Sequence, residues 1–331
     1  MATGREGSIL SSLFSIFWYT TIVYVNGTHA QRGDDGRMIL WTFLNQLING
    51  LHVGSIYALI ALGYTMVYGI VKLINFAHGD IIMVGSFTAM MVMTEIGLPI
   101  WMAILASMLL CMTLGVLIER LAYKPLRSMP RINSLITAIG VSLLLQNASQ
   151  LIFSANQQRF PTPLKQAPLV LGGLNIGFMT LITVPIAVLL MLGLQVFVRS
   201  TKTGKAMRAV SEDTGAAQLM GINVNTTISV TFAIGSALAA IGAVLYSSAY
   251  PLIWPTMGTQ PGLKAFIAAV LGGIGIMPGA MFGGFMMGVA ESLTKAYIST
   301  QLADAVVYGI LIVVLLVKPS GILGKRANEK V

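Results

Sequence analysis

The sequence has 331 residues, of which 56% are hydrophobic and only 9% are charged, with a formal net charge of +9. Soluble domains carry about 25% charged residues, so this composition excludes a water-soluble protein and predicts an all-α, polytopic integral membrane protein. The single cysteine, Cys111, excludes disulfide frameworks and cysteine-ligated metal sites. The positive charge does not indicate nucleic-acid binding, because the basic residues lie in short loops beside apolar segments.

The first 37 residues form an N-terminal extension. Arg5 precedes an apolar run over residues 9–25, and polar residues then lead to Ala30. This arrangement is typical of a secretory signal peptide. A retained signal-anchor and a start codon assigned too early, with Met38 as the true first residue, are open alternatives. The transmembrane domain is therefore predicted to comprise residues 38–331.

Apolar segments follow one another closely from residue 40 onward. Several have the ~20 residues that a helix needs to cross ~30 Å of hydrocarbon. The pair over 262–297 is shorter and is interrupted by glycine and proline. We predict about eight or nine transmembrane helices, with helical segments at 42–68, 80–96, 100–119, 133–153, 179–198, 228–249, 262–276, 279–297 and 303–317.

The distribution of lysine and arginine predicts the orientation. Of the 20 basic residues, 14 fall in residues 1–8, in the loops after the first, third and fifth helices, and in the C-terminal tail. The other side holds six. Cytoplasmic loops carry the excess of positive charge, so the C-terminus is predicted to be cytoplasmic.

A weak parallel internal repeat relates the two ends of the chain. Near the front, a broken apolar pair hinges at residues 78–79, and the chain leaves a third helix at 124–125. Near the back, another broken pair hinges at 278–279, and the exit is at 318–319. Interrupted helices in corresponding positions point to a transport path. The path is predicted to be lined at the two breaks by Asn75, His78, Gly79, Asp80, Gly272, Gly273, Gly275, Pro278 and Gly279.

The motif at residues 75–80 has a second interpretation. His78 and Asp80 could ligate a metal or relay protons, but two ligands are too few for a metal site. Asp80 is more simply interpreted as the N-cap of the second helix, where its charge suits the helix dipole. No metal is therefore predicted.

Other motifs argue against enzymatic activity. The glycine-rich run at 269–279 lacks the lysine and Ser/Thr of a Walker A loop, so it does not predict ATP binding. Glu291 and Lys295 are one helical turn apart and predict a modestly stabilising pair at the outer boundary. The sequence offers no paired carboxylates, Ser/His/Asp set or histidine cluster for catalysis.

The longest polar stretch in the body of the chain is the loop at 199–227. It is predicted to contain a short amphipathic helix over 209–221, ended by a glycine C-cap. One interpretation is a positive loop that only sets topology. The other is a docking helix, whose small-residue face lets another protein approach closely. The candidate contact residues are Arg208, Ala209, Glu212, Asp213, Ala216, Ala217 and Gly221.

Several sequence runs together resemble one family. They are 54–64 (GSIYALIALGY), 75–79 (NFAHG), 207–209 (MRA), 221–223 (GIN), 264–280 and 319–324 (PSGILG). In this order, over about residues 40–331, they resemble the permeases of bacterial branched-chain amino-acid ABC importers, and the smaller, H-type subunit in particular. Asp80 stands where the family more often has glutamate, which keeps the charge.

The resemblance implies a transport subunit of the bacterial inner membrane rather than an enzyme. The implied partners are a second homologous permease, two cytoplasmic ATPase subunits and a periplasmic amino-acid-binding protein. This chain would bind no cofactor, since ATP is used by the ATPases, and residues 209–221 would be the helix that couples to them. The expected solutes are leucine, isoleucine and valine. The alternatives are a permease for urea, short amides or other amino acids, and a stand-alone secondary carrier.

Overall fold

A computed structural model describes residues 35–72, 75–127, 129–162 and 167–324. Residues 1–34, most of the N-terminal extension, lie outside these ranges. The helices are α1 (Asp35–Val71), α2 (His78–Thr94), α3 (Ile100–Ile118), α4 (Arg131–Phe153), α5 (Phe178–Ser200), α6 (Lys202–Glu212), α7 (Thr214–Leu219), α8 (Val224–Ala249), α9 (Thr259–Gly272), α10 (Met277–Tyr297) and α11 (Ala303–Val317).

All nine predicted apolar segments correspond to helices of the structure. The largest difference is at α1, which begins at Asp35 rather than at residue 42. Among the described residues, five helices are long and apolar enough to cross a membrane, or six if α9 and α10 form one bent span. These five are Met38–Val71, Ile100–Leu126, Ile132–Phe153, Phe178–Ser200 and Val224–Ala249. The larger number of crossings stays a prediction.

Short irregular elements connect the helices. A π-helical turn, Glu119–Tyr123, and a 3₁₀ turn, Lys124–Leu126, extend α3. The strands β1 (Gln158–Arg159), β2 (Leu169–Leu171), β3 (Leu174–Ile176) and β4 (Leu252–Ile253) form two antiparallel pairs, β1 with β4 and β2 with β3. The prediction of a helical protein is therefore correct apart from these few extended residues.

The core is built around α1 and α8, which are the two most deeply buried of the five membrane-length helices. Glycines bring α1 into direct backbone contact with α10. A Cβ atom on Gly288 would lie 2.2 Å from the backbone nitrogen of Gly54, and one on Gly284 would lie 2.6 Å from Ala58 Cα. Helices in lipid gain packing energy by such close approach of small residues.

The predicted interruption near residues 272–279 separates α9 from α10, whose axes differ by 120°. Gly273 and Gly275 have φ angles of +111° and +90°, a conformation that costs little only for glycine. Pro278 then occupies the first turn of α10, where its missing N–H is no loss. The C-terminal tail packs on this break, since Ile322 N donates to Leu271 O at 2.8 Å.

The polar loop differs from its prediction. The single helix expected over 209–221 is two helices, α6 and α7, separated at Asp213. The Asp213 side chain accepts hydrogen bonds from the backbone nitrogens of Gly215 and Ala216, at 2.8 and 2.9 Å. Aspartate favours the N-cap over a helix interior because its carboxylate competes for backbone donors, and this ends α6. Gly221 does follow α7 with a φ angle of +80°, as a C-cap glycine should.

Candidate solute path and coupling loop

The segment before α2 is hydrogen-bonded to the end of α3. The Tyr123 hydroxyl donates to Asn75 Oδ1 at 2.8 Å, and both side chains are buried. Tyr123 is the last residue of the π-helical turn, and its hydroxyl lies against the first break. Asn75 is thereby held at the base of α2.

Asp80 is not the N-cap that the sequence suggested. It is the third residue of α2, and the cap residue Ala77 makes no side-chain capping bond. The Asp80 carboxylate instead accepts a hydrogen bond from Gln146 Nε2 on α4 at 2.9 Å. Gln146 also donates to Ser142 Oγ at 3.2 Å, so the buried carboxylate belongs to a small polar group between α2 and α4.

His78 and Gly79 face two different neighbours. The His78 ring packs against Tyr64 of α1 with ring centroids 4.4 Å apart, and within the described chain its buried Nε2 has no hydrogen-bond partner. A Cβ atom on Gly262 would lie 2.7 Å from Gly79 Cα. The N-terminal ends of α2 and α9 are therefore in contact.

Three cavities lie in a row between the two breaks. The first, which we call the Asp80 cavity, has a volume of about 420 Å³. The second, the constriction, is a gap too narrow for a water molecule, and the third, the loop cavity, has about 1000 Å³. The Asp80 cavity and the constriction share Tyr64 and Phe266, and the constriction and the loop cavity share Tyr68 and Ile274.

Aromatic rings close the row at the constriction. The ring centroids of Tyr64 and Phe266 are 5.8 Å apart, and those of Phe76 and Phe266 are 5.9 Å apart. Together with the Tyr64–His78 contact, these rings form an aromatic cluster between α1, α2 and α9. It separates the Asp80 cavity from the loop cavity.

The predicted path residues divide between these cavities and the packing around them. Gly79 and Asp80 line the Asp80 cavity, Asn75 and His78 line the constriction, and Gly275 and Pro278 line the loop cavity. The other three glycines line none of them. A Cβ atom on Gly272 would lie 1.8 Å from Gly279 O, and one on Gly273 would lie 2.8 Å from Gly324 N. Gly272, Gly273 and Gly279 therefore serve close backbone packing.

The coupling-loop candidates are mostly exposed. Ala209 is partly buried and Ala217 is buried against the protein, while Arg208, Glu212, Asp213, Ala216 and Gly221 are exposed. Arg208 and Glu212 line the loop cavity beside Lys72 and Arg199. Sequence reasoning missed Leu219 and Met220 as candidates, although their side chains are 90% and 83% exposed. The sequence did carry a signal for them, namely two apolar residues beside a C-cap glycine in a polar loop.

A buried charged cluster was also missed. Glu291 Oε1 accepts from Lys295 at 2.6 Å, as the one-turn spacing predicted, but it also accepts from Lys264 at 2.9 Å. Lys264 further contacts Asp304 at 2.7 Å. The partners Lys264 and Glu291 are 27 residues apart and on different helices, so no local spacing could reveal them.

The described residues thus form a helical protein with five helices of membrane length, one broken helix pair and a row of cavities interrupted by aromatic rings. A family model described as "branched-chain amino acid transport system / permease component" matches residues 46–315. The chain belongs to this family, which confirms the resemblance.

Curated relatives match over nearly their whole length. The high-affinity branched-chain amino acid transport system permease protein BraD of Pseudomonas aeruginosa is 45% identical, covering 88% of this chain and 99% of the relative. The corresponding permease protein LivH is 44% identical in Salmonella typhimurium and 43% identical in Escherichia coli K12. Both LivH matches cover 87% of this chain and 98% of the relative.

Proposed function

We propose that this chain is the permease subunit of an ABC importer and forms the membrane path for leucine, isoleucine and valine. The observation that carries the proposal is the row of three cavities, which runs from the break before α2 to the break between α9 and α10. Non-helical backbone at membrane depth is tolerated where it is buried in protein or lines a cavity. The relatives named above supply the solute class.

The chain transports but does not catalyse. It binds no cofactor, and ATP is hydrolysed by two cytoplasmic ATPase subunits that act on it and on a second homologous permease. A periplasmic binding protein delivers the amino acid. The naming of the relatives as permease proteins of transport systems supports such an assembly.

The protein lies in the bacterial inner membrane with its C-terminus in the cytoplasm. The asymmetry of its basic residues, 14 of 20 on one side, supports this orientation. We assign it eight or nine crossings, a weak parallel repeat and an N-terminal extension at residues 1–37. In this topology the loop cavity opens to the cytoplasm, because Lys72, Arg199 and Arg208 line it.

The ATPases engage the loop at its second helix. α7 ends in the exposed pair Leu219 and Met220, and Glu212 and Asp213 are exposed before it. Burial of two such side chains in a partner's groove contributes about 1.5–3 kcal/mol each. A movement of α7 passes to the path through α6, since Arg208 and Glu212 border the loop cavity.

Reconstitution tests the proposal. The permease is co-expressed with its partner subunits, placed in proteoliposomes with internal ATP, and supplied with binding protein and labelled leucine. We expect ATP-dependent uptake that excess isoleucine or valine suppresses and excess urea or alanine does not. Uptake by this chain alone, without ATPase subunits, would contradict the proposal and favour a stand-alone carrier.

A further inference from the structure

The Asp80 cavity has suitable surfaces for the ammonium group and the side chain of an aliphatic amino acid. Its volume of about 420 Å³ lies within the ~300–1,000 Å³ that is usual for small-molecule sites. We propose that this cavity holds the transported amino acid, with the ammonium group on Asp80 and the aliphatic side chain on the apolar wall. This inference deepens the proposed function and rests on it.

The Asp80 carboxylate is the cavity's binding group for a cation. The Asp80 residue is only 2% exposed, and its carboxylate is hydrogen-bonded to Gln146 and Ser142. An ionised carboxylate has about four acceptor positions, so acceptor capacity is left for a substrate ammonium. An acidic side chain within a membrane protein is costly unless it is paired. An ammonium group supplies the countercharge that the neutral Gln146 and Ser142 do not.

The first turn of α9 forms the wall beside Asp80. Thr259 and Gly262 line the same cavity, and they belong to the first residues of this 14-residue helix. The contact of Gly79 with Gly262 places Asp80 beside this turn. The backbone nitrogens of Thr259 and Gly262 already donate to Thr256 O and Gly258 O, at 3.3 and 2.9 Å, so this turn is assigned no anion-binding role.

The remaining wall is apolar. Ile139 and Leu143 of α4 and Leu263 and Phe266 of α9 contribute it. An aliphatic side chain bound there packs against these apolar residues, and each CH₂ that is buried in this way contributes about 0.8 kcal/mol. Tyr64 and Phe266 close the cavity toward the constriction. The site thus lies at the closed end of the path.

Neutralising Asp80 tests the charge. The complete transporter with Asp80→Asn is compared with Asp80→Glu and with Glu95→Gln, which removes an exposed carboxylate just beyond the same helix. We expect Asp80→Asn to lower leucine uptake at least about tenfold, because a hydrogen bond to a charged group is lost. Asp80→Glu should keep most uptake, and Glu95→Gln all of it. Uptake by Asp80→Asn within twofold of the unmodified protein, at equal membrane abundance, would overturn the inference.

Filling the cavity tests its location. Leu143→Trp places a larger side chain in the wall, whereas Leu144 does not line the cavity and is 66% exposed. We expect Leu143→Trp to reduce leucine uptake at least about fivefold and Leu144→Trp to leave it unchanged. Equal uptake by the two variants would contradict the placement.

Photolabelling locates the solute without substitution. A diazirine analogue of leucine, first shown to be transported, is irradiated with the unmodified complex, and the labelled peptides are identified by mass spectrometry. Adducts within residues 135–143 or 259–266 support the site. Adducts confined to other segments, or absent, would overturn it. If leucine itself is not taken up by the unmodified complex, the proposed function fails instead, so the two failures are distinguishable.

Discussion

Lys264 Nζ lies 2.9 Å from Glu291 Oε1, and both side chains are buried. Tyr57 of α1 also donates to Glu291, at 3.0 Å. Lys295 and Asp304, which are about half exposed, complete a cluster of two cations and two anions that joins α9, α10 and α11. Equal and opposite charges let this polar group persist inside an apolar protein, because neither buried ion lacks a countercharge.

Removing Lys264 should destabilise the protein more than removing Lys295. Lys264→Met leaves Glu291 buried with a weaker set of partners, at a cost of about 3 kcal/mol. Lys295→Met removes a half-exposed ion and should cost less than about 1 kcal/mol. Thermal unfolding in detergent measures both. A double variant, Lys264→Met with Glu291→Leu, should be more stable than Lys264→Met alone, and equal midpoints for the two single variants would refute the role of burial.

Gly221→Val should uncouple ATP hydrolysis from uptake while membrane abundance stays normal. Gly221 has a φ angle of +80° with open space around its Cβ position. A valine side chain would therefore clash with no neighbour, and its only cost is backbone strain of about 1–2 kcal/mol. That strain acts at the end of α7, where we place the ATPase contact. Gly97 is a matched control, because it has a φ angle of +72° and equal space but lies in the α2–α3 connection. Full ATP-driven uptake by Gly221→Val would argue against the coupling site.

Phe266→Ala should open a leak through the constriction. The ring borders both the Asp80 cavity and the constriction, so truncation joins them. We expect ATP-independent leucine efflux from proteoliposomes to rise several-fold, together with a stability loss below the ~3–5 kcal/mol of a fully buried phenylalanine, because Phe266 is only partly buried. Phe282→Ala on α10 serves as the control, since Phe282 is 46% exposed and lines neither of these spaces. Efflux no greater than that of the control would show that the ring does not gate the path.

Single cysteines should map water access to the loop cavity. With Cys111→Ala as background, Ile274→Cys and Met277→Cys should react with a water-soluble thiol reagent, because both positions line this cavity. Leu271→Cys should not react, because Leu271 is fully buried. If the cysteines at 274 and 277 stay unreactive in every transport state, the break between α9 and α10 does not line the path.

Gly273, one of the residues predicted to line the path, is unsuitable for a substitution test of path lining. Gly273 combines a φ angle of +111° with a Cβ position only 2.8 Å from the backbone of Gly324. Leucine at this position would therefore lower membrane abundance through misfolding, whatever its effect on the path. A comparison of Gly273→Leu with Ala106→Leu in the unbroken α3 should show a difference in membrane abundance, measured by immunoblot, before any difference in transport.

The helices and the break were predictable because their causes are local. Apolar length sets each helix, and glycine and proline near 272–279 interrupt one. The division of the coupling loop at Asp213 was missed because two adjacent helices and one helix have similar amphipathic patterns. Only the side-chain bonds to Gly215 and Ala216 decide between them.

The site was less predictable because its contacts are distant in sequence. Gln146 reaches Asp80 from 66 residues away, and Phe266 meets Tyr64 from another helix. The sequence identified the first break as polar, yet it could not distinguish Asp80 as a cap from Asp80 as a cavity wall. Glu119 is similar, since its buried carboxylate accepts hydrogen bonds from Arg127, 8 residues away, and from Ser229, 110 residues away.

The glycine contacts between α1 and α10 also limit how the protein can move. A Cβ atom on Gly50 would lie 2.6 Å from Val289 Cα, so the two backbones touch with no side chains between them. Because no flexible side chains lie between the two helices, moving them apart would expose bare backbone along several turns. These two helices therefore behave as a fixed frame. We expect opening of the proposed path to come from the parts around this frame, chiefly α4, which is the least buried membrane-length helix.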